Sequence, residues 1–405
     1  MNFRPPEKWR SSLKIGTCSW KYDSWKGLVY ESGKSYRPQD YLADYAKKLD
    51  SVEVDQWFWS LFPGAARLPE PRDVRLYAES VPDDFVFTIK APNALTLTHF
   101  YAKREGANPA SAGAPNPYFL DLGLLEKFLD RLAPLKKKLG PIMFQFEYLN
   151  KKKMPSREAF FEAFGAFIQK APSGFSWAVE TRNPNYLTPD FFAFLEAQGL
   201  GFVYLDGYYM PPIGTVFETH KPRTAAFNVI RLHGGDRADI EKETGEVWNA
   251  VVAPKSAGLK AAAEIVKHNL RHRIKTYVNI NNHYEGSAPL TIERFLETLE
   301  SPSGNGPDFD LRAENKFPAQ GIGAPSPPKD GSPGQKIAEL QFPSPDSSAI
   351  IPRSNDEFDA SALKGVSGRT RRILPEKTPG PGKSKSGGRK SGDSLSAEPV
   401  HRKKP

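Results

Sequence analysis

Glu53, Lys90, Gln145, Glu180, Asp206 and His233 share a setting: each stands at or near the C-terminal end of a short apolar run. Trp177-Ala178-Val179-Glu180 shows the pattern most clearly, because Thr181 and Arg182 follow at once. Val229-Ile230-Arg231-Leu232 delivers His233, and Tyr277-Val278-Asn279-Ile280 delivers Asn281, Asn282 and His283. Two carboxylates facing one cleft act as acid and base, or as nucleophile and acid, when their surroundings split their pKa values. Glu53 and Glu180 are the candidate pair, with His233 as a proton shuttle or hydrogen-bond donor. The competing reading is structural, with Glu180 held in an ion pair by Arg182 or Arg231.

Lys90, Arg182 and Arg231 place cations at the same level, and arginine forks take carboxylate or phosphate bidentately, so a small polar or anionic ligand is expected. Gln145, Asp206, Asn281 and Asn282 add neutral and acidic groups suited to hydroxyls; the asparagines equally suit a turn. Trp20 belongs to an aromatic group in the first two loops that would stack a sugar or base, or pack the loops onto the rim. Glu53, Glu180, Asp206, His233 and His283 are acceptable ligands for zinc or manganese. They lack tight spacing such as His-x-His, and the cations would oppose a dication. No cofactor is therefore predicted, and a divalent metal is the lesser alternative.

Such residues need a scaffold that aims many strand ends at one place. Strand-like runs recur near Lys14–Thr17, Ser51–Val54, Phe85–Lys90, Ile142–Phe146, Trp177–Glu180, Phe202–Leu205, Phe227–Leu232 and Lys275–Ile280. They are apolar throughout rather than alternating, as strands buried on both faces are. Helical stripes lie between them, at Tyr41, Leu42 and Tyr45, at Leu124, Leu125 and Phe128, and at Phe160, Phe164 and Phe167. Thr188-Pro189 predicts an N-cap and first helical position, and further helices are expected over Leu259–Leu270 and Leu290–Leu299. The sum is an α/β chain: a (β/α)8 TIM-like barrel over residues 12 to 300, after an N-terminal arm of residues 1 to 11. Two segments depart from it. Asp206 to Phe227 carries too much proline and glycine for a full helix, and Phe100 to Pro117 is expected to form a mobile loop.

From about Ser301 the composition changes, with 15 of the 37 prolines and 13 of the 32 glycines in the last stretch. That stretch cannot bury enough apolar area to offset its ordering entropy, so a disordered Pro/Gly/Ser/Lys-rich tail is expected over residues 301 to 405. The tail holds 17 Lys+Arg against 12 Asp+Glu, which leaves 39 against 35 for the barrel. The barrel is thus close to neutral, and its charge does not argue for nucleic acid. The basic end of the tail, from Arg369 to Lys404, suits weak, non-specific, salt-sensitive nucleic-acid contact. Cys18 is the single cysteine, which excludes internal disulfides and fits a reducing compartment. No apolar run reaches the roughly 18 residues of a membrane helix, and the start lacks a signal-peptide pattern, so a cytoplasmic protein without membrane contact is expected.

Motifs in order along the chain carry a family resemblance. Ile15-Gly16-Thr17-Cys18-Ser19-Trp20, Val52-Glu53-Val54, Lys90, Thr98-His99, Gly140-Pro141-Ile142-Met143-Phe144-Gln145, Glu180-Thr181-Arg182-Asn183-Pro184, Arg231-Leu232-His233-Gly234 and Asn281-Asn282 resemble the YecE-like proteins, domain of unknown function 72. The likeness spans about residues 12 to 297 and implies a TIM-like barrel with a polar pocket, but no reaction. The second motif runs here into Asp55-Gln56-Trp57-Phe58-Trp59, where the family usually has Asn-x-Thr-Phe-Tyr. The leading expectation is a cofactor-independent acid-base enzyme (a hydrolase, lyase or isomerase) on an anionic or polyhydroxylated substrate at the C-terminal mouth. The alternatives are a metal-assisted phosphoesterase on nucleic acid or a sugar phosphate, and a barrel that binds a ligand without turnover.

Overall fold

The computed structural model describes residues 3–101, 113–235 and 237–301. The expected tail lies outside the described residues apart from Ser301, as does most of the expected loop between Phe100 and Pro117.

Eight parallel strands close into a barrel, each hydrogen-bonded to its neighbour in sequence and the last to the first. They are β1 (Leu13–Cys18), β2 (Ser51–Val54), β3 (Val86–Lys90) and β4 (Leu139–Gln145). β5 (Trp177–Glu180), β6 (Gly201–Gly207), β7 (Phe227–Gly234) and β8 (Lys275–Ile280) complete the ring. The runs form strands because nearly every residue is buried, outward against helices or inward against other strands. β4 contains Pro141, which donates no ladder hydrogen bond; the β3–β4 register shifts at this point, from Phe87↔Leu139 to Ile89↔Ile142. The bulge absorbs the missing donor and sets Lys90 beside Met143.

The outer layer follows the helical stripes. Asp121 caps α3 (Leu122–Arg131) through the Leu124 N–H, and Ser156 caps α4 (Arg157–Ile168) through the Ala159 N–H. The phenylalanine stripe of α4 packs edge-to-face on β4: Phe164 lies 5.5 Å from Phe144 and 5.1 Å from Phe146 between ring centroids. α1 (Asp40–Lys48), α2 (Pro71–Glu79) and α5 (Pro189–Ala197) complete the first five crossovers. Thr188 does precede Pro189 with extended backbone, but its side chain makes no cap bond. Its hydroxyl accepts instead from Arg157 at 2.6 Å.

The sixth unit corrects one expectation. After Pro211-Pro212, residues Ile213–His220 form a two-turn helix, α6, with Ile213, Val216 and Phe217 buried on one side. The prolines precede the helix and do not interrupt it, so they set its start. α7 (Arg237–Thr244), α8 (Ser256–Arg271), the short α9 (Asn282–Glu285) and α10 (Ala288–Glu300) close the shell. The N-terminal arm packs on it: Phe3 is buried, and the Arg4 guanidinium donates to the Ala46 carbonyl at 2.7 Å. No helix among the described residues is long and apolar enough to cross a membrane.

Candidate functional site

Side chains two apart on a strand share a face, so the inward residues of each barrel strand stack in layers. The lowest layer is apolar, with Met143, Ala178, Val203, Val229 and Tyr277 in one cluster. Two positions on along the same strands stand Gln145, Glu180, Leu205, Arg231 and Asn279, with Glu53 and Thr88 from β2 and β3. A further step brings Lys90, Arg182, His233 and Asn281 to the C-terminal mouth.

Arg231 is the hub of the middle layer, with a relative exposure of 1%. Its Nε donates to Glu53 Oε2 at 2.8 Å and its Nη2 to Oε1 at 2.7 Å, a two-pronged contact with the carboxylate. Its Nη1 donates to Glu180 Oε2 and, at 3.4 Å, to Gln145 Oε1. Asn279 Nδ2 closes the far side, bridging Glu53 Oε2 and Thr88 Oγ1 at 3.0 Å each. On the mouth side, Arg182 Nε donates to Glu180 Oε1 at 2.7 Å. The outcome is a chain, Glu53–Arg231–Glu180–Arg182, that runs from a fully buried acid to a cation at the rim.

Burial alone would raise the Glu180 carboxyl, but the Arg231, Arg182 and Lys90 charges outweigh it and hold the group down at about 2. Glu180 is therefore a fixed carboxylate at neutral pH and not a proton donor. The two carboxylates of the expected acid–base pair both contact one guanidinium, that of Arg231. Arg231 likewise spends its donors on protein groups, and Arg182 is the arginine nearer the mouth. The Arg182 guanidinium lies 4.1 Å over the Tyr208 ring, which fixes its plane.

His233 packs against Tyr208 as well, with 4.8 Å between ring centroids. Burial, then Arg231, Arg182, His283 and Lys90, push its imidazole well below the ordinary histidine range, so the ring is neutral. Asn281 fixes which nitrogen carries the proton. Its Oδ1 accepts from the His283 N–H at 2.9 Å, which turns Nδ2 toward His233 Nε2 at 3.5 Å. The imidazole proton is thereby assigned to Nδ1.

Lys90 stands across the mouth with 7% exposure and its ammonium nitrogen 3.9 Å from the Phe58 ring centroid. Phe58 is fixed by Asn93, whose N–H donates to the Phe58 carbonyl at 2.7 Å. The Asn93 Oδ1 accepts from Ser60 N and Leu61 N, both at 2.9 Å, so this one side chain ties the loop after β2 to the loop after β3.

Three expected site residues do not join the ring. Asp206 pairs in register with Leu232, shares that residue's outward face and accepts from the Tyr284 hydroxyl at 2.7 Å. Burial raises its carboxyl, against the Tyr284 bond and the Lys255 charge. A Cβ on Gly258 would fall on both the Tyr284 hydroxyl and Asp206 Oδ2, so this contact needs a glycine in the first turn of α8. Asn282 secures the α9–α10 corner by accepting from the Ala288 N–H at 2.9 Å. Trp20 is buried edge-on to Tyr77 at 5.1 Å, within the loop aromatics. Conversely, Thr88, Asn93 and Tyr208 take part without having been expected. Thr88 was recoverable from its two-residue spacing to Lys90; Tyr208 and Asn93, in loops, gave no periodic signal.

Among the described residues no three of His, Cys, Asp or Glu gather into a set suited to a metal ion. A separate cavity of about 250 Å³ between α3 and the start of β4 includes Glu126, Asp130 and Lys136 in its lining, away from the ring.

Over residues 14–311 the chain matches the family described as protein of unknown function DUF72. No curated protein matches it. Among solved structures it is similar to a DUF72 family protein of Thermotoga maritima MSB8, at 25% identity and a TM-score of 0.50, covering 71% of this chain and 99% of that one. A DUF72 family protein of Enterococcus faecalis V583 aligns at 18% identity and a TM-score of 0.49, covering 74% of this chain and 100% of its own.

Proposed function

The chain belongs to the DUF72 family of proteins of unknown function, and we propose that its barrel mouth binds and converts a small anionic, polar substrate without a cofactor. The observation that carries this reading is where the buried ion-pair chain ends. Arg182 is clamped by Glu180 on one side and Tyr208 on its face, while its Nη1 has no partner among the described residues. A pre-oriented guanidinium loses little freedom on taking up an anion, which favours a carboxylate or phosphate there. His233 then acts as a neutral hydrogen-bond donor through Nδ1, polarising a substrate oxygen rather than carrying a charge. Glu53 and Glu180 position the arginines in this reading, which moves the proton-handling role from the carboxylates to the imidazole.

A metabolite extract, incubated with the protein and followed by mass spectrometry, tests it. The wild type should deplete one or a few anionic compounds; Arg182→Met should retain less than about a tenth of that rate, equivalent to losing one charge-assisted hydrogen bond. His233→Gln should still bind the same compound but convert it slowly. Depletion by Arg182→Met at the wild-type rate would refute the anion site. Retention of a compound without conversion would favour a binding barrel.

A further inference from the structure

Lys90 is a charged side chain at the mouth that the ion-pair chain leaves out. Glu53, Arg231, Glu180 and Arg182 are linked in that order by short contacts, whereas Lys90 has no hydrogen bond or ion pair among the described residues. It is more than nine-tenths buried, at the end of β3, and its nitrogen rests on the face of Phe58. An ammonium removed from water without a carboxylate or an acceptor in contact is costly, and burial of a lysine in that position shifts its balance toward the neutral amine. Burial, followed by the Arg231 charge, lowers the Lys90 amine below the ordinary lysine range, against the pull of Glu53, Asp55 and Glu180. The neighbouring nucleophile does not compete. Burial and the Glu53 charge push the Cys18 thiol well up, which keeps it protonated.

We propose that Lys90 is the nucleophile of this barrel, an amine that condenses with the carbonyl group of a small anionic oxo compound to form an imine at the mouth. The inference rests on reading the mouth as a site for a small anionic ligand, and it names that ligand's reactive group. Lys90 Nζ adds to the carbonyl carbon, the carbon–oxygen double bond opens, and the oxygen leaves as water with the two hydrogens of the amine. A carbon–nitrogen double bond takes its place, with no oxidation or reduction. The other two groups fit the same substrate. Arg182 takes the anion, and the Nδ1 proton of His233 meets the carbonyl oxygen as it gains negative charge. Asn93 is a positioning residue here, because it holds Phe58 against Lys90 from the opposite loop.

Trapping with borohydride tests the proposal on the full-length wild-type protein. Two aldehydes serve as probes, glyoxylate with a carboxylate and acetaldehyde without one. Each is incubated briefly at neutral pH and then reduced, which converts any imine to a stable secondary amine that peptide mass spectrometry can place. Each unit by which an amine's pKa falls raises its neutral fraction about tenfold. Lys90 should therefore be modified faster than the exposed Lys151 and Lys152, and the pH midpoint of its labelling should lie below the usual lysine value of about 10.4. Arg182→Met should slow glyoxylate trapping at Lys90 and leave acetaldehyde trapping unchanged. Should Arg182→Met leave both probes unchanged at a reactive Lys90, the imine inference stands and the anion reading falls. Labelling of Lys90 no faster than Lys151 by either probe overturns the inference, and leaves Arg182 to be judged on its own experiment.

Discussion

The two ends of the barrel interior are built from the same strands, one pleat apart, by opposite means. At the lower end Met143, Ala178, Val203, Val229 and Tyr277 fill the space with apolar volume. One inward position higher, Glu53, Glu180 and Arg231 occupy an equally dry layer with charge, at exposures of 0%, 1% and 1%. Apolar packing is forgiving, since each side chain contributes separately and a smaller one leaves only a void. A buried set of charges is conditional: it is tolerable complete and costly when any member is missing. The lower layer therefore supports the fold in increments, and the upper layer supports it as a unit.

Removing the hub should separate the two layers most sharply. Arg231→Met strands Glu53, leaves Glu180 with Arg182 alone and should cost about 3–5 kcal/mol in urea unfolding. Met143→Ala in the lower layer should cost about 2 kcal/mol. Replacing Glu53, Glu180 and Arg231 together by methionine should recover most of the larger loss, because no buried carboxylate is then left without its arginine and the half-buried Arg182 can turn to water. Equal costs for the two single changes, or no recovery in the triple variant, would remove the distinction.

Acid should divide the layers next. Glu180 is held at about 2 in the folded chain, below the roughly 4.3 of a free glutamate. A depressed carboxyl stabilises the fold fully above the unfolded value, and that stability is lost as pH falls from about 4.3 toward 2. His233 adds an earlier step of the same sign. Its folded value is lowered, so below about 6.5 the unfolded chain takes up a proton that the folded chain refuses. Stability against pH, measured by thermal unfolding, should fall in two stages. His268 and His283 are lowered as well, so His233→Gln should diminish the upper stage without abolishing it, and Met143→Ala should shift the whole curve without altering its shape.

The smallest effect belongs to the rim. Tyr209, 78% exposed on the loop after β6, should change stability by no more than about 0.5 kcal/mol when replaced by alanine. A larger change in unfolding would mean that the rim supports the layers beneath it.

The barrel was legible because its strands break a local rule: they are apolar on both faces and then stop at a charge, as Trp177–Glu180 does before Arg182. Which charges would meet was not legible. Glu53 and Arg231 lie 178 residues apart, and their contact depends on the closure of all the strands between them. Asp206 was misplaced although strand alternation contains the answer, since Val203 and Leu205 claim the inward face and leave residue 206 to the other. α7 escaped notice because it carries no apolar stripe, with five charged residues among its eight and Ile240 as its one buried residue. α6 was underestimated because prolines before a helix look, in sequence, like prolines within one.

Gly258 shows that the barrel's tolerance for genetic drift is not set by its lining alone. It sits in the outer layer, yet any side chain there would displace the Tyr284 hydroxyl and Asp206. Tyr284 lies in α9, and Asn281, the cap of that helix, is the residue that faces His233. A single-nucleotide change at this distant position would thus reach the imidazole through three successive contacts. Lineages that retain the mouth should be unable to vary here, and a variant at Gly258 would disturb the mouth while leaving every residue of the ring in the sequence.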